Sequence, residues 1–235
     1  AALVDAAGNA TPVTVSYAVA GTYYTGTGEK TADHILFRGY IHNNNMPMDV
    51  TLSGVPAGVY DVIAYSVGFV FNATYEQALT LTGAVVSPTY HIRAQTAPTW
   101  LAAPTFVRMS STDPNARQEG NYVVFEDAGP DASGNLVLNM TPESANTGVN
   151  AIPALSGLQL VRVLPVLSIA PGPNAGQATV SWNAAAAGYR LEWSASIGPT
   201  ANWGAAPGVA DPLPGAGSQN ITTTGTGRFY RLQQP

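Results

Sequence analysis

Apolar positions in this chain recur every second residue far more often than every third or fourth. Val13, Val15, Tyr17 and Val19 alternate with Thr14, Ser16 and Ala18, a period of two that predicts a half-buried strand. Met48-Asp49-Val50-Thr51-Leu52 repeats the pattern, and Gly54-Val55-Pro56-Ala57-Gly58 interrupts it with turn residues. Val59 to Val67 runs on as a central strand, rich in β-branched and aromatic residues. Further strands are predicted over 75–81, 88–94, 104–110, 120–125, 135–140 and 156–163. Turn clusters separate them at Asp113-Pro114-Asn115, Asp127-Ala128-Gly129-Pro130 and Ser133-Gly134-Asn135. Ala32 to Gly39 offers one short turn of helix. Short strands at this spacing predict an all-β fold, an antiparallel sandwich.

The pattern changes character near Leu164-Pro165, which divides the chain into a domain over 1–164 and a smaller one over 165–235. Strands are predicted in the second at Val166 to Ile169, Gln177 to Trp182, Tyr189 to Trp193, Gln219 to Thr223 and Arg228 to Leu232. Pro/Gly-rich loops lie between them, notably Ala170-Pro171-Gly172-Pro173 and Pro212-Leu213-Pro214-Gly215. A domain of roughly 70 residues has a thin core.

Composition narrows the partners. Only 10% of residues are charged, well below the roughly 25% of an average globular chain, so Thr, Ser, Asn and Gln must supply the polar surface. The net charge is −5 and no basic stripe occurs, which argues against nucleic acid and anionic lipid as partners. No apolar run approaches the roughly 18–20 residues of a membrane span. Cysteine is absent, which excludes disulfides and zinc–thiolate sites. The opening Ala1-Ala2-Leu3-Val4 suits a mature end left by signal-peptide removal, so a secreted, extracellular or cell-surface location is expected.

Three segments then carry a resemblance. Gly39-Tyr40-Ile41, Val50-Thr51-Leu52-Ser53-Gly54-Val55-Pro56-Ala57-Gly58-Val59-Tyr60-Asp61-Val62 and Gly120-Asn121-Tyr122-Val123-Val124-Phe125 together resemble a jelly-roll domain of the galactose-binding-like and malectin-like kind, found in secreted proteins of planctomycete and verrucomicrobial type. The last strand of that family reads like V-N-G-I-Q-I-V. Here Val149-Asn150-Ala151-Ile152 is separated by Pro153-Ala154-Leu155-Ser156 from Gly157-Leu158-Gln159-Leu160-Val161. Ala178-Thr179-Val180-Ser181-Trp182, Gly188-Tyr189-Arg190-Leu191-Glu192, Trp203 and Phe229-Tyr230-Arg231-Leu232 resemble a fibronectin-III-like, immunoglobulin-type module. The resemblance implies a jelly-roll sandwich followed by a smaller sandwich, and a carbohydrate-binding role for the first.

Catalytic chemistry finds little footing. His34, His42 and His91 form no metal-spaced pair, and ordinary hydrogen-bonded histidines are the simpler reading. No G-x-S-x-G, G-x-G-x-x-G or P-loop occurs, and no catalytic residue or cofactor is expected. Glu126, Asp127 and Asp131 share an oxygen-rich loop with Gly129, Gly134 and Asn135. Jelly-roll carbohydrate-binding domains often hold a structural calcium in such a loop, but a plain hairpin turn is the simpler reading. Among Tyr23, Tyr24, Tyr40, Tyr75, Tyr90 and Trp100, the glycan-stacking candidates are Tyr23, Tyr24 and Trp100. Adjacent strand residues face opposite ways, so one of Tyr23 and Tyr24 should lie outside. Trp182, Trp193 and Trp203 read as packing residues.

Two functions fit these features. The first is a self-assembling, non-catalytic subunit of an extracellular filament or surface layer, with further copies of the chain as partners. Its contact strand would be Val13, Val15, Tyr17 and Val19, pairing with a neighbour by strand addition. The second is a carbohydrate-binding or adhesion module with a glycan as partner.

Overall fold

The computed structural model describes residues 2–25, 31–68, 73–96, 100, 105–143, 150–222 and 227–234. The chain divides into two compact units, Ala1–Arg162 and Val163–Pro235. The fold is all-β, with a jelly-roll sandwich in the first unit.

One layer of that sandwich is a large curled sheet. In spatial order its strands are β1 (Ala2–Val4), β2 (Ala10–Tyr17), β5 (Met48–Ser53), β13 (Leu136–Pro142), β9 (Glu76–Thr82), β10 (Tyr90–Thr96) and β11 (Gln118–Gly120), with β7 (Val67–Gly68) also paired to β10. The facing sheet is β12 (Tyr122–Ala128), β6 (Tyr60–Tyr65) and β16 (Gly157–Arg162). A side sheet joins β15 (Ala154–Leu155), β4 (Gly39–His42) and β3 (Gly21–Tyr24), and a two-residue ladder joins β8 (Ala73–Thr74) to β14 (Asn150–Ala151). The one α-helix described in full, α1 (Ala32–Leu36), is capped by Thr31, whose hydroxyl accepts from the His34 N–H.

The alternation of the sequence becomes the two-faced structure of the large sheet. Met48, Val50 and Leu52 of β5 are buried, as are Leu136, Leu138 and Met140 of β13. They meet Val62, Ala64, Val123 and Phe125 from the facing sheet in one core. Asp49, Thr51 and Asn139 face outward, where the Asn139 amide donates to Asp49 at 2.6 Å.

The strand predicted over 104–110 differs. Residue 104 lies outside the described residues, and 105–110 meets the ladder only at an isolated bridge, Arg108 to Tyr122. Around that bridge the Asn121 N–H donates to the Val107 carbonyl at 3.0 Å and the Met109 N–H to the Tyr122 carbonyl at 2.8 Å, and a side chain extends the hold. Buried Asn121 donates from Nδ2 to the Thr105 carbonyl at 2.7 Å and accepts from the Val107 N–H at 3.0 Å. A Cβ on Gly120 would lie 2.5 Å from the Val107 oxygen, so only glycine lets the segment approach this closely. The Gly120-Asn121 pair therefore pins residues 105–109 against β12.

The second unit is a smaller two-sheet sandwich. One sheet is β17 (Leu167–Pro171), β18 (Gln177–Trp182) and β21 (Gly217–Thr222); the other is β20 (Gly204–Ala205), β19 (Arg190–Ser194) and β22 (Phe229–Gln233). Residue 223, predicted as the end of a strand, lies outside the described residues. The core is thin: Val180, Ala186, Leu191, Ala206 and Leu213 are buried, and Trp182 and Trp193 pack against them. Trp203 is not part of this core and lies instead under the Arg231 guanidinium, 4.4 Å from the ring centroid.

Candidate functional site

A strand that faces water on one side alternates apolar and polar residues, whereas a strand covered on both sides is apolar throughout. β6 and β12 fall between these cases. Their inward residues, Val62, Ala64, Val123 and Phe125, are buried. Their outward residues Ile63, Tyr65, Tyr122 and Val124 are also apolar or aromatic, and they are only half-buried. The outer face of this sheet is thus an apolar surface.

Aromatic rings concentrate at one end of it. Tyr65 and Tyr122 are cross-strand partners, with ring centroids 6.1 Å apart. The pinned segment lays Phe106 beside both, at 6.1 Å from Tyr65 and 6.3 Å from Tyr122. Phe106 is 46% exposed. The end of α1 packs on this same face, with buried Phe37 5.8 Å from Phe106 and 6.1 Å from Tyr65 and Leu36 against Gly157. The rings are held by one another, so little side-chain entropy remains to be lost when something settles on them.

Polar groups border the rings. The Tyr65 hydroxyl donates to Gln159 Oε1 at 2.8 Å, which fixes the carboxamide and leaves its N–H groups without a partner among the described residues. Arg108 donates to Glu126 Oε1 at 2.8 Å. Gly157 stands across from Tyr65 on β16. The Tyr65 hydroxyl is held above its ordinary value of 10.0, first by burial and then by Tyr122 and Asp33. Its proton is retained in the fold at a pH where the unfolded chain releases it. Stability should accordingly fall as pH rises through the ordinary tyrosine value. Tyr65→Phe should remove that component of the alkaline decline, as measured by denaturant midpoints across the range.

The expected stacking residues fare differently. Trp100 is 1% exposed, packed with Phe37 and Val67, so its ring faces are closed to a sugar and it is withdrawn as a platform. Tyr23 and Tyr24 are both exposed, not one of the two, because β3 ends its sheet and Tyr24 stands opposite Gly39. Tyr23 stacks on Tyr40 at 5.9 Å and 27°. Tyr40 and Tyr75 are buried and share a hydroxyl contact of 3.1 Å, while Tyr90 packs on the main core.

The proposed contact strand is internal over part of its length. β2 has β1 beside Ala10–Thr14 and β5 beside Thr14–Tyr17, so over Ala10–Thr14 the sheet's edge is β1 and not β2. Val13 is buried, Val15 and Val19 pack against the core, and Tyr17 alone is well exposed. Strand addition at Val13 is corrected on this ground, Val15 and Tyr17 stand past the end of the β1 register, and Val19 lies beyond the strand.

The histidines have separate surroundings. His34 bonds Thr31 and sits edge-on to Trp100, and His42 lies beside Tyr40. His91 belongs to an ion cluster that the sequence does not announce: Glu143 accepts from His91 Nδ1 at 2.9 Å and from Arg117 Nε at 3.2 Å. Arg93 pairs nearby with buried Glu76 across the β9–β10 ladder. These pairs tie β10 to its neighbours across the outer face of the large sheet. The Asp131 carboxylate accepts from the backbone N–H groups of Asn135 and Ser133, both at 2.8 Å, and those bonds hold it below the usual carboxylate range. It is a hairpin-turn residue, and no group of three acidic or histidine side chains placed for a metal ion occurs among the described residues. Among them, too, no helix is long and apolar enough to cross a membrane.

No family model matches the chain, and no curated protein matches it. Among solved structures the chain is similar to that of TmCBM61 in complex with beta-1,4-galactotriose, with a TM-score of 0.32 and 12% identity over 65% of this chain and 90% of that one.

Proposed function

We propose that the first unit is a non-catalytic glycan-binding module, with the outer face of β12-β6-β16 as its binding surface. The observation that carries this is the half-exposed ring group Tyr65, Phe106 and Tyr122 beside the oriented Gln159 amide. Flat rings take the C–H face of a pyranose, and a fixed amide donates to its hydroxyls. Polymerisation through the Ala10–Thr14 stretch of β2 would first have to strip β1 from it, so a filament subunit is the lesser reading.

A glycan array followed by calorimetry on the hits tests the proposal. Neutral glycans should bind, and Phe106→Ala should weaken them about tenfold, the loss of one stacking ring. Tyr23→Ala should bind as the wild type does. An array without hits, or a Phe106→Ala protein with undiminished affinity, would overturn the assignment.

A further inference from the structure

A cavity opens between the two sheets at one end of the first unit, with a volume of about 390 Å³. That is room enough for a small molecule. Its accessible walls are apolar, Val85, Val86, Pro88 and Tyr90, over a floor of buried Leu81, Phe125 and Leu136. Val86 is 65% exposed and Val85 beside it 70%, so this wall presents unpartnered aliphatic surface. The wall is also firmly seated. Ala84 N–H donates to the Gly129 carbonyl at 2.8 Å, and a Cβ on Gly83 would lie 2.2 Å from that oxygen.

The lip of the cavity is acidic. It is formed where β12 bulges between Phe125 and Ala128, which turns Glu126 and Asp127 to the opening. Glu126 is committed to Arg108 at 2.8 Å. The Asp127 N–H donates to Asp61 Oδ1 at 3.2 Å, so a third carboxylate stands close by. The Asp127 carboxylate and the Tyr90 hydroxyl have no hydrogen-bond partner among the described residues. Two carboxylates line the opening, one of them already paired with Arg108, on a chain of net charge −5.

We propose that this cavity binds a small primary alkylammonium, its aliphatic body against Val86, Pro88 and Tyr90 and its ammonium at Asp127. The apolar wall selects a carbon chain, and the lip selects the sign of its head group. A neutral alcohol would lack the ion pair, and a carboxylate would meet like charge. The site goes beyond the glycan reading and touches it only at the rim, through Glu126.

Hexylammonium, titrated into the full chain and followed by calorimetry and amide NMR shifts, tests the assignment, with hexanol and hexanoate alongside. Hexylammonium should bind most tightly, with shifts centred on residues 81–90 and 125–128. Asp127→Asn should weaken it about fivefold, as for one half-solvated ion pair, and hexanoate should not bind. Absence of hexylammonium binding, equal affinity for hexanol, or an Asp127→Asn protein that binds unchanged would each overturn it. Phe106→Ala should retain hexylammonium binding whether or not the glycan assignment survives, so the two fail separately.

Discussion

Asn121→Ala is expected to lower the unfolding free energy of the first unit by about 3 kcal/mol and to carry glycan binding down with it. Asn121 has no solvent exposure and makes three bonds, to the Thr105 carbonyl, the Val107 N–H and Gln95 Oε1. Alanine would orphan a backbone donor and a backbone acceptor together. Each such group costs about 1–3 kcal/mol when no water can reach it. The two orphaned groups flank Phe106 in sequence, so the segment that presents that ring loses its anchor. Asn121→Asp should recover part of the stability, because its oxygen still accepts from Val107 while the two amide donations are lost. Urea unfolding with an unchanged m-value would register the first effect. Calorimetry under conditions where the variant is folded would register the second. A variant that unfolds and binds like the wild type would show that the segment is held by something other than Asn121.

That same residue shows where sequence reading succeeds and where it stops. Period-two alternation is set by the pleat, so Met48 to Leu52 and Leu136 to Met140 announced both their strands and their buried faces. The resemblance at Gly120-Asn121-Tyr122 pointed to a strand, and β12 begins there. What alternation does not carry is a side-chain clamp between residues 14 to 16 apart. The segment 105–110 has strand composition, yet beyond the short bridge at Val107–Met109 it is held by an asparagine side chain and a close glycine rather than by a full ladder.

The aromatic face was half legible. Ile63 and Tyr65 occupy the outward positions of a strand whose inward positions are also apolar, and the same holds for Tyr122 and Val124. An apolar residue on the face that should be wet is a signal carried by the alternation pattern itself. Phe106 gives no such signal, because its place depends on Asn121. Trp100 misled for the converse reason. A tryptophan between prolines has the composition of an exposed loop, but its environment is decided by Phe37 and Val67 from distant parts of the chain. The strand of Val13, Val15 and Tyr17 was recognisable as a strand. Whether it lay at an edge depended on β1, a three-residue strand too short to be read from its pattern.

In the second unit the largest effect is expected from Leu191→Ala, which should lose about 3 kcal/mol and unfold that unit while leaving the first unit's glycan binding unchanged. Leu191 is 2% exposed and lies in a core of five buried residues among those described. A unit of roughly 70 residues has a total stability of about 4–10 kcal/mol, and a core this thin places it toward the lower end. The cost of a leucine truncation depends on how far the surroundings collapse into the void. Here the buried neighbours are Val180, Ala186, Ala206 and Leu213. Two are alanines with nothing to extend, and valine is stiff at its branched carbon. Leu213 is fixed by its backbone, which donates to the Tyr189 carbonyl and accepts from the Gly188 N–H, both at 2.8 Å. The void would therefore remain largely open, and the full truncation cost would be felt. Three of the four tryptophans, Trp182, Trp193 and Trp203, belong to this unit, so tryptophan fluorescence reports its unfolding ahead of the first unit's. A fluorescence transition at the wild-type position would show that the core repacks, whereas simultaneous loss of glycan binding would show that the two units unfold as one.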